Sequence, residues 1–168
     1  GTTVTGEPIP PQPGKDIALK PLENVQLSDD KSRLIAKREG MATLDRSGGV
    51  RVITEFVIRG DVDYATGNVR CKGTVKVEGS VLPGFSLESN QDVIIDGGID
   101  SANVRAGGNL FVSHGIQGSP DTQVSAGSEI RALFIENANV LAKSDIVLGQ
   151  SVRHSDMRTQ GVVKVTER

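Results

Sequence analysis

The stretch GNVRCKGTVKVEGSVLPGFSLESNQDVIIDGGIDSANVRAGGNLFVSHG, residues 67–115, repeats a short valine-rich run, a glycine and another short run. Its apolar residues share one spacing: an anchor, a second six residues on, a third two further, and a fourth about four beyond. Val69, Val75, Val77 and Val81 fit it, as do Leu87, Val93, Ile95 and Ile99, then Val104, Leu110, Val112 and Ile116. Residues two apart face the same side of an extended strand. The anchors of each copy therefore point one way from three short strands separated by corners.

The spacing extends in both directions. Val124, Ile130, Ala132 and Ile135 follow, with the last step one residue short, then Val140, Ile146, Leu148 and Val152. Met157, Val163 and Val165 begin an incomplete copy, and Val50, Phe56, Ile58 and Val62 form an earlier one. Successive first anchors lie 19, 18, 17, 20, 16 and 17 residues apart. Two residues after each first anchor comes a mostly small one: Val52, Cys71, Ser89, Ala106, Ala126, Ala142 and Thr159. One copy cannot bury its own apolar face, but stacked copies can. The expected fold is all-β, a right-handed parallel β-helix built as a three-sided solenoid of about seven coils of 16–20 residues. The wandering coil length favours the right hand; the strict six-residue steps from Val69 to Ile99 make a left-handed β-helix the alternative. Gly60, Gly67, Gly73, Gly79, Gly97, Gly98, Gly107, Gly108, Gly115 and Gly127 fall at or near corners, where φ > 0 is the expected reason for glycine. No GxxxxGK[ST] motif accompanies them, so they are not read as a phosphate cradle.

Composition agrees with short strands and tight turns: 20 Gly among 168 residues, four Phe, one Tyr and no Trp. Nineteen basic residues against 21 acidic ones give a net charge of −2, with no basic run and few aromatics to stack bases, so nucleic acid is not an expected partner. Cys71 is the single cysteine, which points to a reducing compartment; its place in the small inward row points to burial rather than reactivity. No stretch approaches the ~20 apolar residues of a membrane span. The chain starts on Gly1 and is expected to be a fragment of a longer protein.

Residues 1–49 read differently. GEPIPPQPGKD (6–16) holds four prolines between Pro8 and Pro13 and reads as an extended arm. Arg33–Lys37 and Met41–Leu44 flank Glu39-Gly40, which predicts a hairpin. The segment is expected to cap a solenoid spanning 50–168, whose first coil otherwise exposes apolar side chains and strand edges. VVKVTER (162–168) ends inside a coil, so a removed cap or a stacked second chain is expected there.

GDVDYATGNV (60–69), GSVLPGF (79–85), AGGNLFV (106–112), RALFIENANVLA (131–142), the opening GTTVTGEPIPPQPGKD (1–16) and VRHSDM (152–157) resemble the flagellar assembly protein A (FapA) family. The resemblance runs nearly end to end. It implies a central right-handed β-helix in a cytoplasmic bacterial protein that assembles or places flagella, often at the cell pole. It also implies protein partners: flagellar-pole components or the glucose-specific enzyme IIA of the sugar phosphotransferase system. GTVKVEGSVLPGF (73–85) is similar to the C-terminal domain of the cell-division inhibitor MinC, a short dimerising β-helix, which makes a MinC-like regulator the second reading.

No residue constellation calls for catalysis, a cofactor or a metal. His114 and His154 are isolated near corners, although an acyltransferase on a β-helix would use such a histidine as general base. Asp92, Asp96 and Asp100 recur along one coil, as in polysaccharide-active β-helices, but the aromatics of a sugar groove are scarce. Phe56, Phe85, Phe111 and Phe134 read as core or corner packing. Asp61 and Asp63 are too few for a Ca²⁺ site and read as turn formers; with Tyr64 they are the candidate contact residues. The expected function is a non-enzymatic scaffold acting through protein contacts and possible self-association, with a β-helix enzyme as the alternative.

Overall fold

The computed structural model describes residues 4–5 and 18–166; the arm expected at 6–16 lies outside them. The described residues form twenty strands and no helix. The first five are β1 (Lys20–Pro21), β2 (Val25–Leu27), β3 (Leu34–Ala36), β4 (Met41–Leu44) and β5 (Gly49–Ile53). Next come β6 (Glu55–Ile58), β7 (Val69–Cys71), β8 (Thr74–Val77), β9 (Ser86–Ser89), β10 (Val93–Ile95), β11 (Ile99–Asp100) and β12 (Asn103–Ala106). They are followed by β13 (Leu110–Val112), β14 (Ile116–Gln117), β15 (Gln123–Ala126) and β16 (Ile130–Glu136). The last are β17 (Asn139–Ala142), β18 (Ile146–Arg153), β19 (Asp156–Thr159) and β20 (Val163–Val165).

Strands β6 to β20 wind into a parallel β-solenoid of about seven turns, seven strands deep on its second face. On the first face, β7, β9, β12, β15, β17 and β19 stack so that Val69, Leu87, Val104, Val124, Val140 and Met157 pair rung to rung. On the second, Phe56, Val75, Val93, Leu110, Ile130, Ile146 and Val163 do the same. On the third, Val62, Val81, Ile99, Ile116, Ile135 and Val152 align, the first three through isolated bridges. Like sits on like because each coil contributes the same inward position. Every anchor from Val75 to Ile116 is buried, and Val69 is half-buried against the same core. Each buried aliphatic side chain contributes roughly 1.5–3 kcal/mol. The small row holds Cys71, Ser89, Ala106, Ala126 and Ala142 in register, all buried. Its polar member is satisfied: Ser89 Oγ donates to the Gly73 carbonyl at 2.7 Å and accepts from Gln91 N–H at 3.0 Å.

The N-terminal segment departs from the expected pairing. Leu34–Ala36 does not form a hairpin with Met41–Leu44 across Glu39-Gly40. Instead β3 pairs antiparallel with β2, and β4 pairs antiparallel with β5. The stronger turn chemistry lies elsewhere. Asp45 Oδ1 accepts from Ser47 N–H at 2.8 Å and Gly49 N–H at 2.9 Å, and Gly48 sits at φ 79°. Val50 also leaves the expected ladder. β5 is paired with β1 on one edge and β4 on the other, so Val50 faces Pro21 and Leu44 rather than Val69.

Most corner glycines serve a different purpose from the expected one. Of the ten named from the sequence, only Gly60 and Gly67 have positive φ. Most of the others are needed because the corners stack as closely as the strands, which lie ~4.8 Å apart. A Cβ on Gly127 would strike the Gly107 carbonyl oxygen directly beneath it. One coil differs: β16 runs without a break from the second face to the third, and its register against β18 shifts between Ala132 and Phe134. This is where the sequence spacing is one residue short. Leu133-Phe134 replaces the glycine corner, and the Phe134 ring lies over Gly115 of the preceding coil.

Gly115→Ala is expected to lose about 1–3 kcal/mol by overpacking against Phe134. Phe134→Leu should recover much of that loss, whereas Gly127→Ala, which meets backbone, should not be recovered. A double-mutant cycle of denaturant midpoints checks both; additivity between Gly115→Ala and Phe134→Leu would refute the contact.

Candidate functional site

At several positions on each corner of the solenoid, the residue just before an anchor bonds the backbone of the coil above. Asn68 Oδ1 accepts from Ser86 N–H at 2.9 Å, and Asn103 Oδ1 from Gln123 N–H at 2.9 Å. Before the second face, Asp92 Oδ1 accepts from Asn109 N–H at 2.7 Å and Asp145 Oδ1 from Val162 N–H at 3.0 Å. Before the third, Asp61 Oδ1 accepts from Ser80 N–H at 2.7 Å, and Ser80 Oγ from Gly98 N–H at 3.0 Å. Strand pairing leaves these corner N–H groups without ladder partners, and a short polar side chain supplies one. The signal is in the sequence as recurring Asn, Asp and Ser one place before an anchor; reading only the apolar spacing passes over it.

Of the candidate contact residues, Asp63 and Tyr64 sit on the loop from the third face back to the first, and Asp61 stands just before the third-face anchor Val62. Asp61 is committed to the corner ladder just described. Asp63 Oδ1 accepts from Ala65 N–H at 2.9 Å and Thr66 N–H at 3.1 Å, and Thr66 Oγ1 donates to the Asp61 carbonyl at 2.9 Å. This bonded turn carries Tyr64, which is 96% exposed and stands edge-on to Phe85 with ring centroids 5.1 Å apart. Of the four phenylalanines, Phe56 and Phe85 pack against the core and Phe134 against a corner. Phe111 instead faces outward on β13, beneath the Arg131 guanidinium at 5.9 Å.

The two histidines occupy different corners. His114 Nδ1 lies 3.1 Å from the Asp96 carbonyl oxygen. His154 adopts φ 46° at a corner whose equivalents, Ser101 and Asn137, are also left-handed at 43° and 53°. Each stands two residues after a third-face anchor, so His154 holds a backbone turn. The groove beside it is lined by Pro120, Asn137, Ala138 and Asn139, with no carboxylate. Asp92, Asp96 and Asp100 also part company: Asp92 caps Asn109, Asp96 meets Lys76 Nζ at 3.3 Å, and Asp100 accepts from Ser101 Oγ at 3.1 Å. Among the described residues, no three His, Cys, Asp or Glu side chains are grouped to hold a metal ion.

A concavity runs along the outside of the first face. Two adjoining grooves, of about 550 and 410 Å³, share Gln123 and Ser125. One outward row follows the register Arg70, Glu88, Arg105, Ser125, Leu141 and Arg158. Arg70 is bound to Glu88 at 2.6 Å and Arg158 to Asp156 at 3.1 Å. Sequence reasoning did not single out this row, because outward positions carry no periodic apolar signal.

The geometry defines a parallel β-solenoid domain with an N-terminal β segment and a polar groove down one face. Comparison with known families matches residues 54–168 to the Flagellar Assembly Protein A beta solenoid domain and residues 1–47 to the Flagellar Assembly Protein A N-terminal region. The chain belongs to the Flagellar Assembly Protein A family. No curated protein and no solved structure matches the chain. No helix among the described residues is long and apolar enough to cross a membrane.

His154→Gly is expected to keep or raise stability by up to about 1 kcal/mol, since glycine enters the left-handed region without a Cβ clash; thermal unfolding of the variant against His154→Val checks this. Asp145 offers a pH test. The Val162 N–H and then Lys164 hold its carboxyl below the usual range. A depressed carboxylate favours the folded coil at neutral pH, and that contribution is lost as pH falls through the ordinary value near 4 and below. Hydrogen-exchange protection of the Val162 amide should fall over that window in the native chain and be already reduced in Asp145→Ala.

Proposed function

We propose that this chain is a non-enzymatic scaffold that contributes to flagellar assembly or placement through protein contacts in the cytoplasm at the cell pole. The observation that carries the reading is the unbroken register of the second face, seven strands paired rung on rung. Such a rod holds outward side chains in fixed rows, which suits display rather than the convergence of acid, base and nucleophile. Family membership supports the flagellar setting. The N-terminal segment acts as a cap: Ala36–Gly40 lie beside Lys72 and Asn90 of the first coils.

Tyr64 is the contact residue of first choice. It presents a large exposed ring on a turn that Asp63 has already ordered, so little freedom is lost on binding. Its partners are sought among flagellar-pole components and the glucose-specific enzyme IIA of the phosphotransferase system. Affinity capture from flagellated cells with this chain as bait should enrich pole components, and Tyr64→Ala should reduce that enrichment severalfold with an unchanged melting curve. Equal capture by Tyr64→Ala would remove the loop from the proposal; no enrichment of any flagellar or phosphotransferase protein would overturn the scaffold reading.

A further inference from the structure

We infer that the groove along the first face is a docking trough for an extended acidic polypeptide segment of about seven residues. This deepens the scaffold reading and rests on it for the setting, though not for the chemistry. The starting point is an uneven charge distribution around the rod. Between residues 54 and 166, the first face and its edges carry Arg70, Lys72, Arg105, Lys143 and Arg158. Only two carboxylates, Glu88 and Asp156, stand among them, whereas the rest of the solenoid carries five cations against eleven carboxylates. A solenoid with ten cations against thirteen carboxylates between residues 54 and 166 thus has one cationic face. Glu88 and Asp156 are each bound to an arginine, while Lys72, Arg105 and Lys143 make no ion pair among the described residues.

The amides reinforce the preference. The Oδ1 atoms of Asn68 and Asn103 are taken by the backbone of the next coil, so these trough residues have N–H groups left to offer. Guanidinium and amide donors together suit carboxylate acceptors. The trough crosses six strands, or about 24 Å at ~4.8 Å per rung, which an extended chain spans in about seven residues at ~3.3 Å each. Leu141, 51% exposed one rung from Arg158, adds an apolar seat near one end. The occupant is therefore acidic with an aliphatic residue close to one terminus.

The test uses the whole 168-residue chain and a fluorescein-labelled heptapeptide, Glu-Asp-Glu-Ser-Glu-Leu-Asp, read by anisotropy at low salt. Saturable binding is expected, absent for the peptide with lysine at every acidic position and weakened by added salt. The double charge reversal Arg105→Glu with Arg158→Glu should weaken it about tenfold or more. Lys76→Glu, on the second face, should leave it unchanged. Arg105→Gln removes charge without reversing it and should still weaken binding if the double variant misfolds. No saturable binding, or equal binding by Arg105→Gln and the native chain, would overturn the inference. So would binding of a sulfated oligosaccharide in place of the peptide, or low-salt self-association in sedimentation that the same variants abolish. Any of these results would leave the flagellar scaffold reading standing, because capture through the Tyr64 loop is measured separately.

Discussion

Parallel, in-register stacking of short strands at ~4.8 Å is the constraint from which the rest of this structure follows. Each coil places its inward residues directly over those of the coil below. Aliphatic rows such as Val75, Val93, Leu110, Ile130 and Ile146 then close the interior with every member buried. The same spacing brings corner over corner, leaving no room for a Cβ where Gly127 crosses Gly107. It also leaves corner N–H groups facing upward at a fixed distance, within reach of an Asp, Asn or Ser one rung below. Core, corner glycines and polar ladders are three consequences of one repeat distance.

That rigidity frees the exterior. Outward residues are held in rows by the strands but not specified by them, so charge and shape there can vary independently on each face. The chain places cations and amide donors along the first face and most of its carboxylates elsewhere. It places its one tyrosine on a hydrogen-bonded turn at the corner. A member of a flagellar assembly family built in this way holds chemically distinct surfaces on one solenoid.

Much of the architecture was legible before any coordinates. The spacing of Val69, Val75, Val77 and Val81 and its later copies is a direct image of the three faces, and the short step before Ile135 marks the coil whose corner is pulled straight into β16. Other elements were not legible, for identifiable reasons. Val50 fits the spacing, yet the hairpin and β1 occupy both edges of β5, and a strand with two partners cannot also join the ladder. The chemistry of Asp61 is ambiguous in the sequence: an aspartate before an anchor reads as a turn former or a contact until the position of Ser80 N–H is known. His154 reads in the sequence as an isolated corner histidine, and its left-handed backbone, aligned with Ser101 and Asn137, is seen only in the structure.

By itself the sequence determined that this is an all-β solenoid, where its coils from Val69 onward begin, which side chains fill them and which family it resembles, because burial in stacked coils imposes a period on apolar residues. Only the tertiary structure decided why the corner glycines are glycines, how the N-terminal strands pair and which outward residues share a groove. Arg70, Arg105 and Arg158 lie 35 and 53 residues apart along the chain. They become one row because the coils between them close to the same register, and that closure sums over many contacts that no local stretch contains.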